Sequence, residues 1–317
     1  MGFEWENFDR IILNYEDFME EKILKLIKLE SLSNNVSFYI FNEGDNPTGT
    51  HKDRIAKAHV QDCIKRGSSH ITLASCGNYG VSVAYFAQKE NIKVTVFIPT
   101  AFDSPRILQI KESGAEVIRL PLSYESCVEE SRKFAQSERI YDANPGGENS
   151  KLQIEVYAQM MNEIYSKLSS NENLLAVSVS VSNGTTLAGL FKGAKPSVKI
   201  IGGTTYQNPI YTSFQKKLTS PEILNEDDLK ETAINEPLIN WKALDAEEAL
   251  RAVYDSKGKM YAATDEELIE VQKLLAKEGI SSHPSGCAGV YALKKYIEES
   301  DITLPCSVVA VMTSRDY

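Results

Sequence analysis

The sequence predicts an α/β protein of two doubly wound parallel-sheet lobes. Three observations carry this: six short β-branched runs, helical segments with their own end signals between them, and a length of 317 residues. Single cores stop growing near roughly 250–300 residues, so a chain of this size divides into lobes. The runs are ITLAS (71–75), KVTVFIP (93–99), AEVIRLP (115–121), LLAVSVSV (174–181), KIIGGTT (199–205) and CSVVAVMT (306–313). They are continuously apolar more than alternating, the pattern of parallel strands covered on both faces by helices.

In chain order, the first 45 residues contain an amphipathic helix around Asp17–Ser31. Asn46–Arg54 is a turn running into a helix whose Ala56, Val60, Cys63 and Ile64 share one face. After ITLAS, the turn Ser75–Gly80 leads into the helix VSVAYFAQKE. Ser104 and Pro105 make an N-cap followed by proline at the first helical position, and Gly114 closes that helix. YDANPGGENS (141–150) is rich in turn formers and reads as a connection. It bounds a smaller N-terminal lobe, 46–150, from a larger lobe made of 1–45 and 151–317. Within the larger lobe, Ser182–Thr186 joins a strand to the helix LAGLFKGA, and 206–241 is irregular and acidic. Thr264 and Glu267 form a capping box that opens a helix with Leu268, Val271 and Leu275 on one stripe and Gly279 as its stop.

Composition excludes several classes. Apolar residues at 42% and charged ones at 25% are those of an ordinary globular protein. With 34 basic against 44 acidic residues and the basic ones scattered, the chain has no footprint for nucleic acid. No apolar run approaches the roughly 18–20 residues of a membrane span, and the acidic MGFEWENFDR is no secretory signal, so no membrane is expected and a cytoplasmic location is. Five scattered cysteines without CxxC fit reduced thiols, and four histidines without HExxH or HxH spacing leave no metal site to expect.

Four local features carry chemistry. Lys52 lies in the first turn of its helix, where partial positive charge and burial both disfavour the ammonium form and make the amine a nucleophile for an aldehyde. Alone, this lysine also fits a solvated surface charge beside Asp53. Ser75-Cys76-Gly77-Asn78-Tyr79-Gly80 follows a strand, at the sheet end where ligands gather, and it does not meet the GxGxxG of a dinucleotide site. Ser182-Asn183-Gly184-Thr185-Thr186 offers backbone amides, hydroxyls and a helix N-terminus suited to a phosphate dianion, without the GK[ST] of a nucleotide loop. The last strand delivers Thr313, whose hydroxyl can bond a ring nitrogen without protonating it.

In that order the features resemble the fold-type II pyridoxal-phosphate (PLP) enzymes, and among them the threonine synthase-like group. NPTGTHKDR differs from that group's N-P-T-G-S-F-K-D-R at two positions. The resemblance runs on through SCGNYGVSVAYFAQKENIKVTVFIP, PRILQIKESGAEVIRL, SNGTT, HPSGCAGVYAL and the final strand. It implies two lobes with the cofactor between them and Lys52 carrying PLP as a Schiff base. Asn78 then contacts the cofactor's 3-oxygen, Ser182, Asn183, Gly184, Thr185 and Thr186 surround its phosphate, and Thr313 partners the ring nitrogen. Thr48, Ser75, Cys76, Gly77 and Tyr79 border the substrate, a small amino acid; a homodimer is implied as well. The sequence departs from the pattern at His51, Tyr79 and His283, so substrate choice stays open. Beside a threonine synthase-like elimination and replacement stand a β-replacing cysteine or cysteate synthase and a threonine/serine dehydratase. Outside catalysis stands a PLP-fold sensor or partner subunit. Arg54, Lys57, Arg106 and Lys111 are the candidates for a cation facing a phosphorylated substrate.

Overall fold

The computed structural model describes residues 24–27 by their backbone, and 35–75 and 77–316 in full. Two compact units emerge, one built on Asn46–Pro145 and the other on the flanking segments that end at Asp45 and resume at Gly146. The flanking unit opens with β1 (Leu24–Ile27) and β2 (Val36–Asn42). These pair antiparallel, with Leu24 opposite Phe41 and Ile27 opposite Phe38. That corrects the sequence reading, which puts Leu24–Ile27 inside a helix. The remainder of that helix lies outside the described residues. An edge of β2 open to pairing outweighs a local helical period, because strand preference is set by the neighbours available.

The Asn46–Pro145 unit then runs α1 (Lys52–Lys65), β3 (His70–Ala74), α2 (Asn78–Lys89), β4 (Lys93–Pro99), α3 (Pro105–Glu112), β5 (Glu116–Leu120), α4 (Tyr124–Glu138) and β6 (Tyr141–Asp142). Its sheet has the order β5-β4-β3-β6, all parallel. Leu73, Val96 and Ile98 are fully buried on it, as continuous apolar strands require. Helix α1 buries Ala56, Val60 and Cys63 and every residue from Asp53 to Val60, whereas Ile64 in its last turn is 44% exposed. Helix α3 starts as its residues dictate: the Ser104 hydroxyl accepts from Arg106 N at 3.2 Å, with Pro105 next.

Past Gly146 come α5 (Asn149–Lys167), β7 (Leu174–Ser180), α6 (Thr185–Gly193), β8 (Lys199–Thr204), α7 (Pro209–Gln215), α8 (Ala246–Asp255), β9 (Lys259–Ala262), α9 (Asp265–Lys277), α10 (Ala288–Glu298) and β10 (Cys306–Met312). The six-stranded sheet has the order β1-β2-β10-β7-β8-β9 and is parallel apart from β1. Strand β10 lies at its centre with every residue buried. Helix α10 sits so close to this sheet that a Cβ on Gly203 would lie 1.8 Å from Ala288 O. The capping box of α9 is present, with Thr264 N donating to Glu267 at 2.9 Å and Glu267 N to Thr264 at 3.3 Å. Strands β1, β2, β6 and β9 fall outside the six runs read from sequence, and α7 lies within the segment read as irregular, with the Asn208 side chain as its N-cap. No helix among the described residues is long and apolar enough to cross a membrane.

Candidate active site

In the Asn46–Pro145 unit, Lys52 is the first residue of α1 and half-buried, and its amide donates to Thr50 Oγ1 at 3.3 Å. The turn before it is locked from within. Gly49 N donates to Asn46 O at 2.8 Å and Asn46 Nδ2 to Thr50 O at 2.9 Å. Thr48 N donates to Asp53 Oδ2 at 2.7 Å, and the Thr48 hydroxyl donates to the other Asp53 oxygen. The buried carboxylate next to Lys52 therefore fixes the turn that presents the lysine. Thr48 Oγ1 also lies 3.0 Å from Ser82 Oγ, and that hydroxyl reaches Asn78 O at 2.9 Å. One chain of hydrogen bonds thus joins the lysine turn to the asparagine loop.

That loop is shaped by Ser75, whose oxygen accepts from Gly77 N at 3.3 Å and Gly80 N at 2.8 Å. Asn78 begins α2 and keeps its Oδ1 buried without a hydrogen-bond partner among the described residues. An orphaned carboxamide oxygen is what a ligand's polar atom would satisfy. Cys76 lies outside the described residues. The Tyr79 ring is buried beside His59, and its hydroxyl donates to Ala143 O at 2.7 Å. The phenol hydroxyl is thereby tied to the main chain that follows β6. The hydroxyls of Thr48 and Ser75 are likewise engaged inside the protein, so among its described residues this loop offers a ligand the Asn78 carboxamide and main-chain amides at the start of α2. Behind it, burial and the Arg66 charge push His59 down to about 3. Since Tyr141 donates to Asp62 at 2.7 Å, the 2.9 Å contact of His59 Nδ1 with Tyr141 requires the imidazole proton on Nδ1.

Of the four candidate cations, Lys111 is exposed, and Arg54 and Lys57 are buried within α1. Arg106 is buried against the loops just described. Its Nη1 donates to Thr48 O at 3.3 Å and to Gln109 Oε1 at 2.9 Å, and its stem passes 3.9 Å from the point where a Gly77 Cβ would stand.

In the other unit, Ser182–Thr186 joins β7 to α6. Gly184 takes φ +96°, and a Cβ there would lie 2.7 Å from Ala249 Cβ and 2.8 Å from Asp245 O. Only glycine fits this cradle at its αL angle. The segment 240–245 templates the loop: Ser182 Oγ donates to Asn240 at 2.8 Å, Leu244 N to Asn183 Oδ1 at 3.1 Å, and Asp245 N to Asn183 O at 2.9 Å. The Thr185 and Ser150 hydroxyls both donate to the buried Asp245 carboxylate. What remains for a phosphate is the first-turn amides of α6, the Thr186 hydroxyl and Asn183 Nδ2. Thr185 and Ser182 shape the loop. The donor set, with a backbone that no side chain could tolerate at Gly184, fits a phosphate group.

Thr313 follows β10 and is buried. Its neighbour Ser314 accepts from His283 N at 3.2 Å, tying the strand end to His283–Cys287. Ser285 N donates to His283 Nδ1 at 3.3 Å, which leaves the ring proton on Nε2. Burial pushes the Cys287 thiol up to about 12, so it is no nucleophile. Asp53, Ser82, Asn240 and Asp245 escaped sequence reasoning. Asp53 alone carried a signal, its adjacency to Lys52.

The family model for pyridoxal-phosphate dependent enzymes matches residues 19–314. The threonine synthase of Halalkalibacterium halodurans is 28% identical over 297 residues, covering 92% of this chain and 81% of the relative. Among solved structures, the processed form of threonine deaminase isoform 2 from Solanum lycopersicum superposes with a TM-score of 0.75 at 19% identity, covering 100% of this chain and 91% of its own. O-ureido-L-serine synthase superposes with a TM-score of 0.77 at 17% identity, covering 95% of this chain and 91% of its own. At these identities the superpositions speak for the fold.

Proposed function

The chain belongs to the family of pyridoxal-phosphate-dependent enzymes, and from that premise we propose that it performs a threonine synthase-like elimination and replacement, converting O-phosphohomoserine to threonine and phosphate. The observation that carries the reading is the similarity to threonine synthase over nearly the whole chain, joined to the buried Arg106, whose guanidinium bonds Thr48 O and whose stem passes Gly77. A phosphorylated substrate needs such a cation.

When bound, PLP supplies an electron sink for negative charge developing at the substrate's α-carbon. In this reading Lys52 Nζ would hold the cofactor, and the same amine would take the substrate's α-proton. Its place in the first turn of α1 disfavours the ammonium form and so favours the base. Asn78 Nδ2 would donate to the 3-oxygen, with Ser82 fixing the main chain that carries it. The amides of α6, Thr186 and Asn183 Nδ2 bind the phosphate. Thr313 would offer the ring nitrogen a neutral hydroxyl where a carboxylate would offer it a negative charge, a setting that suits elimination. Arg106 faces the leaving phosphate. The protein acts as a cytoplasmic homodimer in this reading.

The test is phosphate release from O-phosphohomoserine, run beside ammonia release from threonine and serine. Ammonia without phosphate makes the enzyme a dehydratase. If neither forms, O-acetylserine or O-phosphoserine with a thiol or sulfite tests a β-replacing synthase, which the departures at His51 and His283 keep in play. A protein whose absorbance shifts with an amino acid and turns none over is a sensor.

A further inference from the structure

We infer that Thr205 is a cofactor-binding residue, its hydroxyl donating to the phosphate held in the Asn183–Thr186 cradle. The inference rests on the reading of that cradle as the phosphate site. Thr205 directly follows β8, whose register with β7 sets Gly203 beside Ser180. Val181 N donates to Gly203 O at 2.7 Å, Thr204 Oγ1 to Val181 O at 2.7 Å, and Asn208 Nδ2 to Ser182 O at 3.1 Å. Carried on by two residues, this pairing puts Thr205 level with Ser182, the first residue of the cradle, at the carboxyl end of the sheet where ligands of such folds gather.

Thr205 is 5% exposed, and its Oγ1 is buried without a hydrogen-bond partner among the described residues. Its neighbours contrast with it, since the hydroxyls of Ser182, Thr185 and Thr204 are each donated to a protein acceptor. Burying a hydroxyl with nothing to bond is costly, and valine has the same shape without that cost. At the end of a buried strand, where β-branched apolar residues pack best, a threonine in valine's place points to an acceptor that the folded chain alone does not supply. A phosphate oxygen in the adjacent cradle is that acceptor, and a hydrogen bond to a charged group is worth more than one to a neutral partner.

The experiment compares wild type, Thr205→Val, Thr205→Ser and Gly184→Ala as cofactor-free proteins. It measures melting temperature, affinity for PLP and for phosphate-free pyridoxal, and the 31P resonance of bound PLP. Thr205→Val should melt at or above the wild-type temperature, bind PLP about 10- to 100-fold more weakly, and shift the 31P signal. It should bind pyridoxal as wild type does, and Thr205→Ser should recover most of the PLP affinity. Four outcomes overturn the inference. Wild-type PLP affinity in Thr205→Val, with Gly184→Ala weakened, removes Thr205 and leaves the cradle reading standing. PLP affinity unchanged in Gly184→Ala as well removes the cradle reading itself. Equal loss for pyridoxal and PLP moves the hydroxyl to the ring or aldehyde. A lowered melting temperature with unchanged PLP affinity makes it a bond internal to the protein.

Discussion

Replacing Gly184 by alanine tests the cradle where its geometry is least forgiving. At φ +96° an L-residue pays a left-handed penalty of about 1–2 kcal/mol. The added methyl also meets Ala249 Cβ at 2.7 Å, Asp245 O at 2.8 Å and Ile210 Cδ1 at 3.0 Å. Two of these are held by backbone, so the contacts cannot be relieved by a rotamer change, and overpacking of this kind costs about 1–3 kcal/mol. Together the variant should lose about 2–5 kcal/mol, within what a protein stable by roughly 5–15 kcal/mol survives. The alternative to the strain is that the loop swings away from 240–245, which breaks the templating bonds of Asn183 and disperses the phosphate donors. Either way PLP affinity falls. Urea unfolding of the cofactor-free protein, followed by tryptophan fluorescence, gives the stability change, and absorbance titration gives the affinity. A loss under about 1 kcal/mol together with wild-type PLP affinity would refute both the strain and the cradle.

Three further outcomes follow from the geometry. Lys52→Ala should lower turnover about 10²–10⁴-fold, and borohydride reduction should then leave no PLP label on the peptide spanning 46–65, as mass spectrometry of a digest will show. His59 has an ordinary value of 6.5 and is held near 3 in the fold, so below pH 6.5 the unfolded chain takes up a proton that the folded one refuses. Its contribution is therefore present above pH 6.5 and lost as pH falls towards 3, at a slope approaching about 1.4 kcal/mol per pH unit. His59→Gln should flatten the difference in denaturant midpoint between pH 6.5 and 4.5, and parallel curves for variant and wild type would disprove it. Tyr79→Phe, which leaves Ala143 O buried without its donor, should destabilise the protein by about 1–3 kcal/mol in urea. No change would return the phenol to the solvent side of the loop.

Much of the fold was legible because parallel strands buried on both faces must be continuously apolar, and helix ends must satisfy their own amides. Ser104-Pro105 and Thr264-Glu267 announce helix starts from within four residues, and the structure has them. Strand β1 was illegible for the opposite reason. Leu24–Ile27 has no local feature that outranks a helix, and it became a strand through an edge supplied by β2.

At the candidate site the sequence by itself determined which residue types stand at strand and helix ends: the lysine turn, the asparagine loop, the glycine-bearing cradle and the terminal threonine. It determined the family, because these recur in a fixed order along the chain. Tertiary structure alone decided which of their polar atoms are spoken for. Asp245 claims the Thr185 hydroxyl from 60 residues away, Asn240 claims Ser182, and Ala143 claims Tyr79, while Asn78 Oδ1 and Thr205 Oγ1 are buried without a partner among the described residues. The physical reason is one of range. Helix ends, turns and apolar runs are signalled by neighbours in sequence, but a short side chain bonds whatever folding carries to within about 3 Å of it, and that partner is written elsewhere in the chain.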